Sequence, residues 1–164
     1  MDLKQIREKE KFLLENVDFI KVDELRQLVE IALEKFGSRE KLVEANGIAY
    51  MLIEKLTYDK LLSEQTHQTF VDIMISAALL HNLFYKEEDW RTLFDAKFYL
   101  DPIVEELKIN YQIAETLFHT IQGQLGSRTP ITDCIPKPGT PTEMFANTVW
   151  IAKNYIIVPA KSSK

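Results

Sequence analysis

The sequence predicts an all-α protein: a compact, single-domain helical bundle of about seven helices around one central buried helix at residues 70–85. Three observations carry this. Apolar residues recur at helical spacing in one segment after another, and no segment shows the apolar–polar alternation of a half-buried strand. The run FVDIMISAALLHNLFY, Phe70 to Tyr85, is apolar on nearly every face, as a buried helix is. Asp72 and Ser76 interrupt it and it is too short to span a membrane. Its small residues Ser76, Ala77 and Ala78 allow other helices to approach closely.

Taken in order, residues 2 to 16 place Leu3, Ile6, Phe12 and Leu13 among many charges, an amphipathic helix expected at the periphery of the domain within residues 1–21. Asp18 to Lys21 breaks that pattern. VDELRQLVEIALEKFG then sets Leu25, Leu28, Val29, Ala32, Leu33 and Phe36 on one helical stripe, with Gly37 as its C-cap. Ser38 caps the next helix, which runs to Tyr58, and Gly47 inside it marks either a close crossing or a break. Residues 59–68 are polar and lead into the central helix. Beyond it, Lys86 to Asp89 form a charged turn and Trp90 to Tyr99 a helix. Asp101 followed by Pro102 reads as an N-cap and first helical position. Asn110 caps YQIAETLFHTIQGQL, which Gly123 and Gly126 end. Residues 126–142 form a Pro/Thr-rich loop, long enough to suggest a lid or a contact surface. Thr140 or Thr142 caps a last helix, and the tail at 159–164 is expected to be disordered.

Composition narrows the function classes. Hydrophobic residues make up 46% and charged residues 27% of the 164, the balance of an ordinary globular domain. A net charge of -5 gives no global attraction to nucleic acid or to an anionic membrane, so neither is expected as a partner. The single cysteine, Cys134, has no internal disulfide partner, and the charged opening MDLKQIREKEKF does not read as a signal peptide; a cytoplasmic setting follows as the expectation. The composition is also compatible with a homo-oligomer.

The segment SAALLHNL, ending in His81 and Asn82, resembles the motif that names the histidine-aspartate (HD) superfamily of metal-dependent phosphohydrolases, in which a helix reading roughly A-A-L-L-H-D brings a His and an Asp to a divalent metal. The likeness extends weakly over about two thirds of the chain. It implies an HD-like helical fold and a pocket for a nucleotide or another phosphorylated small molecule. The family's other metal positions are not matched here: Asn82 stands for the Asp, Val149 in FANTVWI for the late Asp, and the early helix around Gly47 to Met51 has no His, Tyr50 being its nearest polar residue. An imidazole and a neutral amide hold a catalytic metal poorly, because carboxylates both bind the ion and balance its charge. No cofactor is therefore expected, and hydrolysis is expected to be lost.

The resemblance thus implies a catalytically silent HD-like domain that sequesters or senses a phosphorylated ligand, which fits a small viral or accessory gene product. The ligand-binding residues expected are His81, Asn82, His119, Gln122, Arg128, Lys137, Tyr50 and Trp150: cations for phosphate, aromatic rings for stacking on a base, and polar side chains for its edge. Lys153 and Tyr85 are further candidates. The competing enzymatic reading is a phosphohydrolase using Mn, Fe or Zn on a non-standard set of His81, His119 and Asp72, or with Asp95 as its carboxylate. His67 and His81 share a helix face to within roughly 40° but stand about 21 Å apart along it, so they cannot share an ion. A third reading is a helical protein-interaction module. The plainer roles are a helix-closing His81–Asn82 pair, a half-exposed His119, core tryptophans at Trp90 and Trp150, and solvent-facing Lys153 and Asn154.

Overall fold

The computed structural model describes residues 1–58 and 68–157, and among them all regular structure is helical, with one isolated antiparallel bridge between Lys86 and Asp89 and no strand. The polar segment at 59–67, with His67, and the tail at 159–164 lie outside the described residues.

The first helix, α1 (Leu3–Lys9), starts where Asp2 accepts a hydrogen bond from the Gln5 N–H at 3.1 Å. The helix expected over 2–16 breaks at Glu10, whose carboxylate is gripped by the Arg39 guanidinium (Nε–Oε1 2.8 Å). A 3-10 turn (Lys11–Leu14) and α2 (Glu15–Phe19) follow. This region is not peripheral: Leu14, Val17 and Ile20 are fully buried and Leu13 nearly so. The break turns the stripe inward, which one straight helix would have kept half in solvent. Asn16 is buried too, and its Nδ2 donates to Asn46 Oδ1 at 2.7 Å, so each amide offsets the other's desolvation.

Helix α3 (Asp23–Phe36) buries the expected stripe and ends at Gly37. The next helix, α4 (Arg39–Tyr58), is opened by Ser38, whose Oγ accepts from the Lys41 N–H at 3.3 Å. It runs unbroken through Gly47, which is exposed, and a Cβ there would meet nothing within 4 Å. Gly47 marks neither a crossing nor a break.

The central helix, α5 (Gln68–Leu80), is buried at every position from Val71 to Leu80 and packs on α3 and α4. It stops at Leu80, so His81 and Asn82 stand in the turn beyond it. Near its start, the fully buried Asp72 carboxylate accepts the backbone N–H groups of Lys21 (3.0 Å) and Val22 (2.8 Å) and the Gln68 amide (2.7 Å). A buried carboxylate is tolerable because three donors surround it, and it locks the corner ahead of α3 to the core helix.

A 3-10 turn (Trp90–Phe94), capped by Asp89, leads into α6 (Asp95–Glu106). Asp101 and Pro102 lie inside α6 and do not open a new helix; Lys97 pairs with Asp101 at 3.0 Å one turn on. Helix α7 (Tyr111–Gln122) begins at Asn110, whose side chain accepts from the N–H groups of Gln112 and Ile113, and packs on α5. A 3-10 stretch (Gly123–Arg128) follows, in which Gly126 takes φ 61°, ψ -136°, a region essentially closed to other residues. That conformation turns the chain toward α8 (Pro141–Ile151), which Thr140 caps and Pro141 starts. The chain then widens into a π-helical turn (Ala152–Ile157).

Candidate functional site

Past Leu80 the chain leaves the helix while still in the core, and its polar groups must find partners there. His81 is buried, and its Nδ1 lies 2.6 Å from the Ala78 carbonyl. A carbonyl only accepts, so Nδ1 carries the proton and Nε2 is left as an acceptor. Burial, together with the positive charge of Lys153, pushes the His81 pKa down to about 3, so the ring is neutral. Phe145 meets it edge-on at 6.1 Å. Asn82 donates its Nδ2 to the Lys41 carbonyl (3.0 Å), and Lys41 donates its Nζ to the Leu83 carbonyl (2.8 Å). These two bonds strap the turn to the start of α4.

Beside this turn is a cleft of about 670 Å³. Lys41 and Glu44 of α4 form one wall; Asn82, Tyr85 and Glu87 belong to the turn after α5; Gln124, Leu125 and Arg128 come from the 3-10 stretch after α7; Val149, Trp150, Lys153 and Asn154 come from α8 and its π turn. The Arg128 guanidinium lies over the Trp150 ring, 5.1 Å from its centroid, and its Nε donates to the Leu125 carbonyl at 3.1 Å. Partial burial lowers the Arg128 pKa from its ordinary value, but a guanidinium remains cationic at neutral pH. Lys153 stands 3.6 Å from Glu44. Three cations face two carboxylates, a local excess of one positive charge on a chain whose net charge is -5.

Clefts of similar size lie between α4 and α8 (about 660 Å³) and between α6 and α7 (about 610 Å³), so volume does not single this one out. Its polar floor does. Among the described residues, the buried side-chain atoms without a hydrogen-bond partner are Nε2 of His81, Oδ1 of Asn82 and Oε1 of Gln124. Asn82 and Gln124 both line this cleft, and neither of the other two is lined by any of the three.

The structure brings Asn82, Arg128 and Trp150 of the expected site together, with His81 directly behind them, and adds Tyr85. Others fall elsewhere. His119 and Gln122 line the α6–α7 cleft, because their positions on α7 look away from α5. Tyr50 is partly exposed and donates its hydroxyl to Glu15, a contact that raises its pKa. Lys137 is exposed, and its carbonyl holds the Thr140 hydroxyl at 2.6 Å. The Pro/Thr-rich loop is not a lid on this cleft, since only Arg128 at its beginning reaches it. Trp90 is exposed and not part of the core, and Trp150 is a half-buried cleft wall. Lys153, half-buried, and Asn154, exposed as expected, both line the cleft.

Lys41, Glu44, Glu87 and Gln124 were not expected. Lys41 sits one turn past a helix cap, where a lysine is ordinarily solvated, and nothing in its neighbours marks it. Gln124 follows Gly123, and its place beneath the cleft depends on the helix ending there. Its Nε2 donates to the carbonyls of His81 and Ile121, both at 3.1 Å.

The metal set is not assembled. Asp72 lies about 12 Å of helical rise from the end of α5, with its oxygens already occupied. His119 is exposed on another face, and Asp95 opens α6 outside the cleft. Among the described residues no three His, Cys, Asp or Glu side chains converge as a metal site. A neutral imidazole and two amide oxygens with an ammonium nearby do not fit the divalent ion that the HD resemblance implies. No helix among the described residues is long and apolar enough to cross a membrane. Compared with protein-family models, with curated proteins and with solved structures, the chain matches none.

Proposed function

We propose that this chain binds a phosphorylated small molecule, a nucleotide, in the cleft beside Asn82 and holds it without hydrolysis, as an HD-like domain whose metal-binding residues have been replaced. The observation that carries the reading is the lining of the cleft, where three cations and an indole stand with the Asn82 and Gln124 side chains. Arg128, Lys153 and Lys41 then face the phosphates, and the base stacks against the Arg128–Trp150 pair or Tyr85. That Asn82 and Val149 line one cleft also supports the HD-like reading, because both stand at positions where the resemblance expects metal ligands. With neither carboxylate present, a phosphate meets less repulsion and no metal is needed to neutralise it.

The test is calorimetric titration with nucleoside diphosphates in buffer containing EDTA, for the wild type and for Arg128→Ala. Removing the guanidinium deletes a charge-assisted contact and the support for Trp150, and affinity is expected to fall about tenfold or more. No binding by the wild type, or equal affinities for the two proteins, refutes the assignment. The exposed aromatic side chains Phe98 and Tyr111, each 73% exposed, favour a second reading, a protein-interaction module. In that case nucleotides do not bind, and Phe98→Ala, not Arg128→Ala, weakens self-association or partner binding.

A further inference from the structure

We propose that the groove between α6 and α7 docks a basic amphipathic helix of a partner protein. The groove shares no lining residue with the cleft beside Asn82, so this second site goes beyond the nucleotide reading and does not rest on it.

Only residues 107–110 join α6 to α7, and the two helices pack side by side, so they run in opposite directions. The cleft between them, about 610 Å³, has an apolar floor: Val104, Ile109, Ala114 and Phe118 line it, and all four are buried. Phe94, just ahead of α6, and Tyr111, the first residue of α7, line the same cleft and are 40% and 73% exposed. The antiparallel pairing sets these rings toward opposite ends of it. Past Phe94, His119 and Gln122 the channel continues into a smaller cleft of about 300 Å³, lined also by Ile131 and Ile135. The 12 residues of α6 give the groove a length of about 18 Å, about three helical turns. An apolar channel of this length flanked by exposed aromatic rings is a surface suited to a partner.

Backbone chemistry makes that partner a helix. The walls are helices whose own backbone groups bond within each helix, and the floor side chains carry no polar atoms, so an extended peptide brings N–H and C=O groups that find nothing to bond. A helix satisfies its own backbone and presents only side chains to the groove. Charge makes it basic. Asp101, Glu105, Glu115 and Asp133 line the two connected clefts, against Lys97 and Lys108. Lys97 is already committed: its Nζ lies 3.0 Å from Asp101 and 5.4 Å from the centre of the Phe118 ring. Among the described residues Glu105, Glu115 and Asp133 form no ion pair. Three unpaired carboxylates against one lysine complement Lys and Arg on the flanks of the incoming helix and repel an acidic one.

The test selects a displayed library of peptides about 16 residues long, with Leu fixed along one helical face and every other position random, against the wild-type protein. The expected result is enrichment of sequences rich in Lys and Arg. A synthetic peptide of the enriched sequence then binds the wild type in solution, and Glu105→Lys with Glu115→Lys, which reverses two of the unpaired carboxylates and leaves the apolar floor intact, weakens it about tenfold or more. Tyr111→Ala weakens it as well. In the wild-type protein the amide NMR shifts caused by the peptide centre on α6 and α7, a readout that depends on no variant folding. Enrichment of neutral or acidic sequences, equal binding by the charge-reversed protein, shifts centred on another face, or no enrichment at all overturns the assignment. Self-association that Tyr111→Ala abolishes overturns it too, because the groove then belongs to a second copy of this chain. Each of these results leaves the nucleotide reading to its own titration.

Discussion

Acidification from pH 7 to pH 5 should cost this protein stability through His81 in particular. The unfolded chain protonates this imidazole near its ordinary value of 6.5, whereas the folded protein holds it down to about 3 by burial and by the nearby Lys153 charge. Above pH 6.5 neither state is protonated and the residue contributes no pH dependence. Below it, the unfolded state takes up a proton that the folded state refuses, so stability falls with pH at about 1.4 kcal/mol per unit until pH 3 is approached. Between pH 6.5 and pH 5 this amounts to about 2 kcal/mol. With a urea dependence of about 2 kcal/mol per molar, the unfolding midpoint drops by about 1 M. The assay is urea denaturation followed by circular dichroism at both pH values, for the wild type and for His81→Gln. Every other ionisable group is the same in both proteins, so its contribution cancels in the difference between the two shifts. Equal midpoint shifts refute the claim that His81 is held neutral in the core.

Two further substitutions probe the frame of the site. Gly47→Ala should raise stability by about 1 kcal/mol, because Gly47 sits exposed in a continuous helix with open space at its Cβ; a lowered melting temperature shows that α4 is distorted there. Asp72→Ala should cost about 3 kcal/mol or more in chemical denaturation, since the backbone N–H groups of Lys21 and Val22 lose a buried charged acceptor. A cost under about 1 kcal/mol means that the corner ahead of α3 is held by other contacts.

The sequence by itself determined the helical class, the central place of the run from Phe70, the stripe of α3 and the caps at Ser38 and Asn110, and narrowed the last cap to Thr140 or Thr142, because each is a local matter. Helical period, cap chemistry and the burial of an all-apolar segment depend on residues within a few turns of one another. It also singled out the His81–Asn82 pair, since a polar pair ending an apolar helix is conspicuous in one dimension, whereas Arg128 and Trp150 were chosen to suit the ligand that the HD resemblance implies. Tertiary structure decided the rest. Whether His119 looks toward α5 or away from it depends on the rotation of α7, which is set by what α7 packs against. Tyr50 was drawn off by Glu15, thirty-five residues away in sequence. Asp72 had the composition of a metal ligand and became the anchor of two backbone N–H groups fifty residues upstream. Lys41 and Gln124 lie forty-one and forty-three residues from the groups they bond in the turn after α5, and nothing local distinguishes them from solvated side chains. Periodicity reports which face of a helix is buried. Which buried polar atoms remain without partners is known only once every helix has been placed.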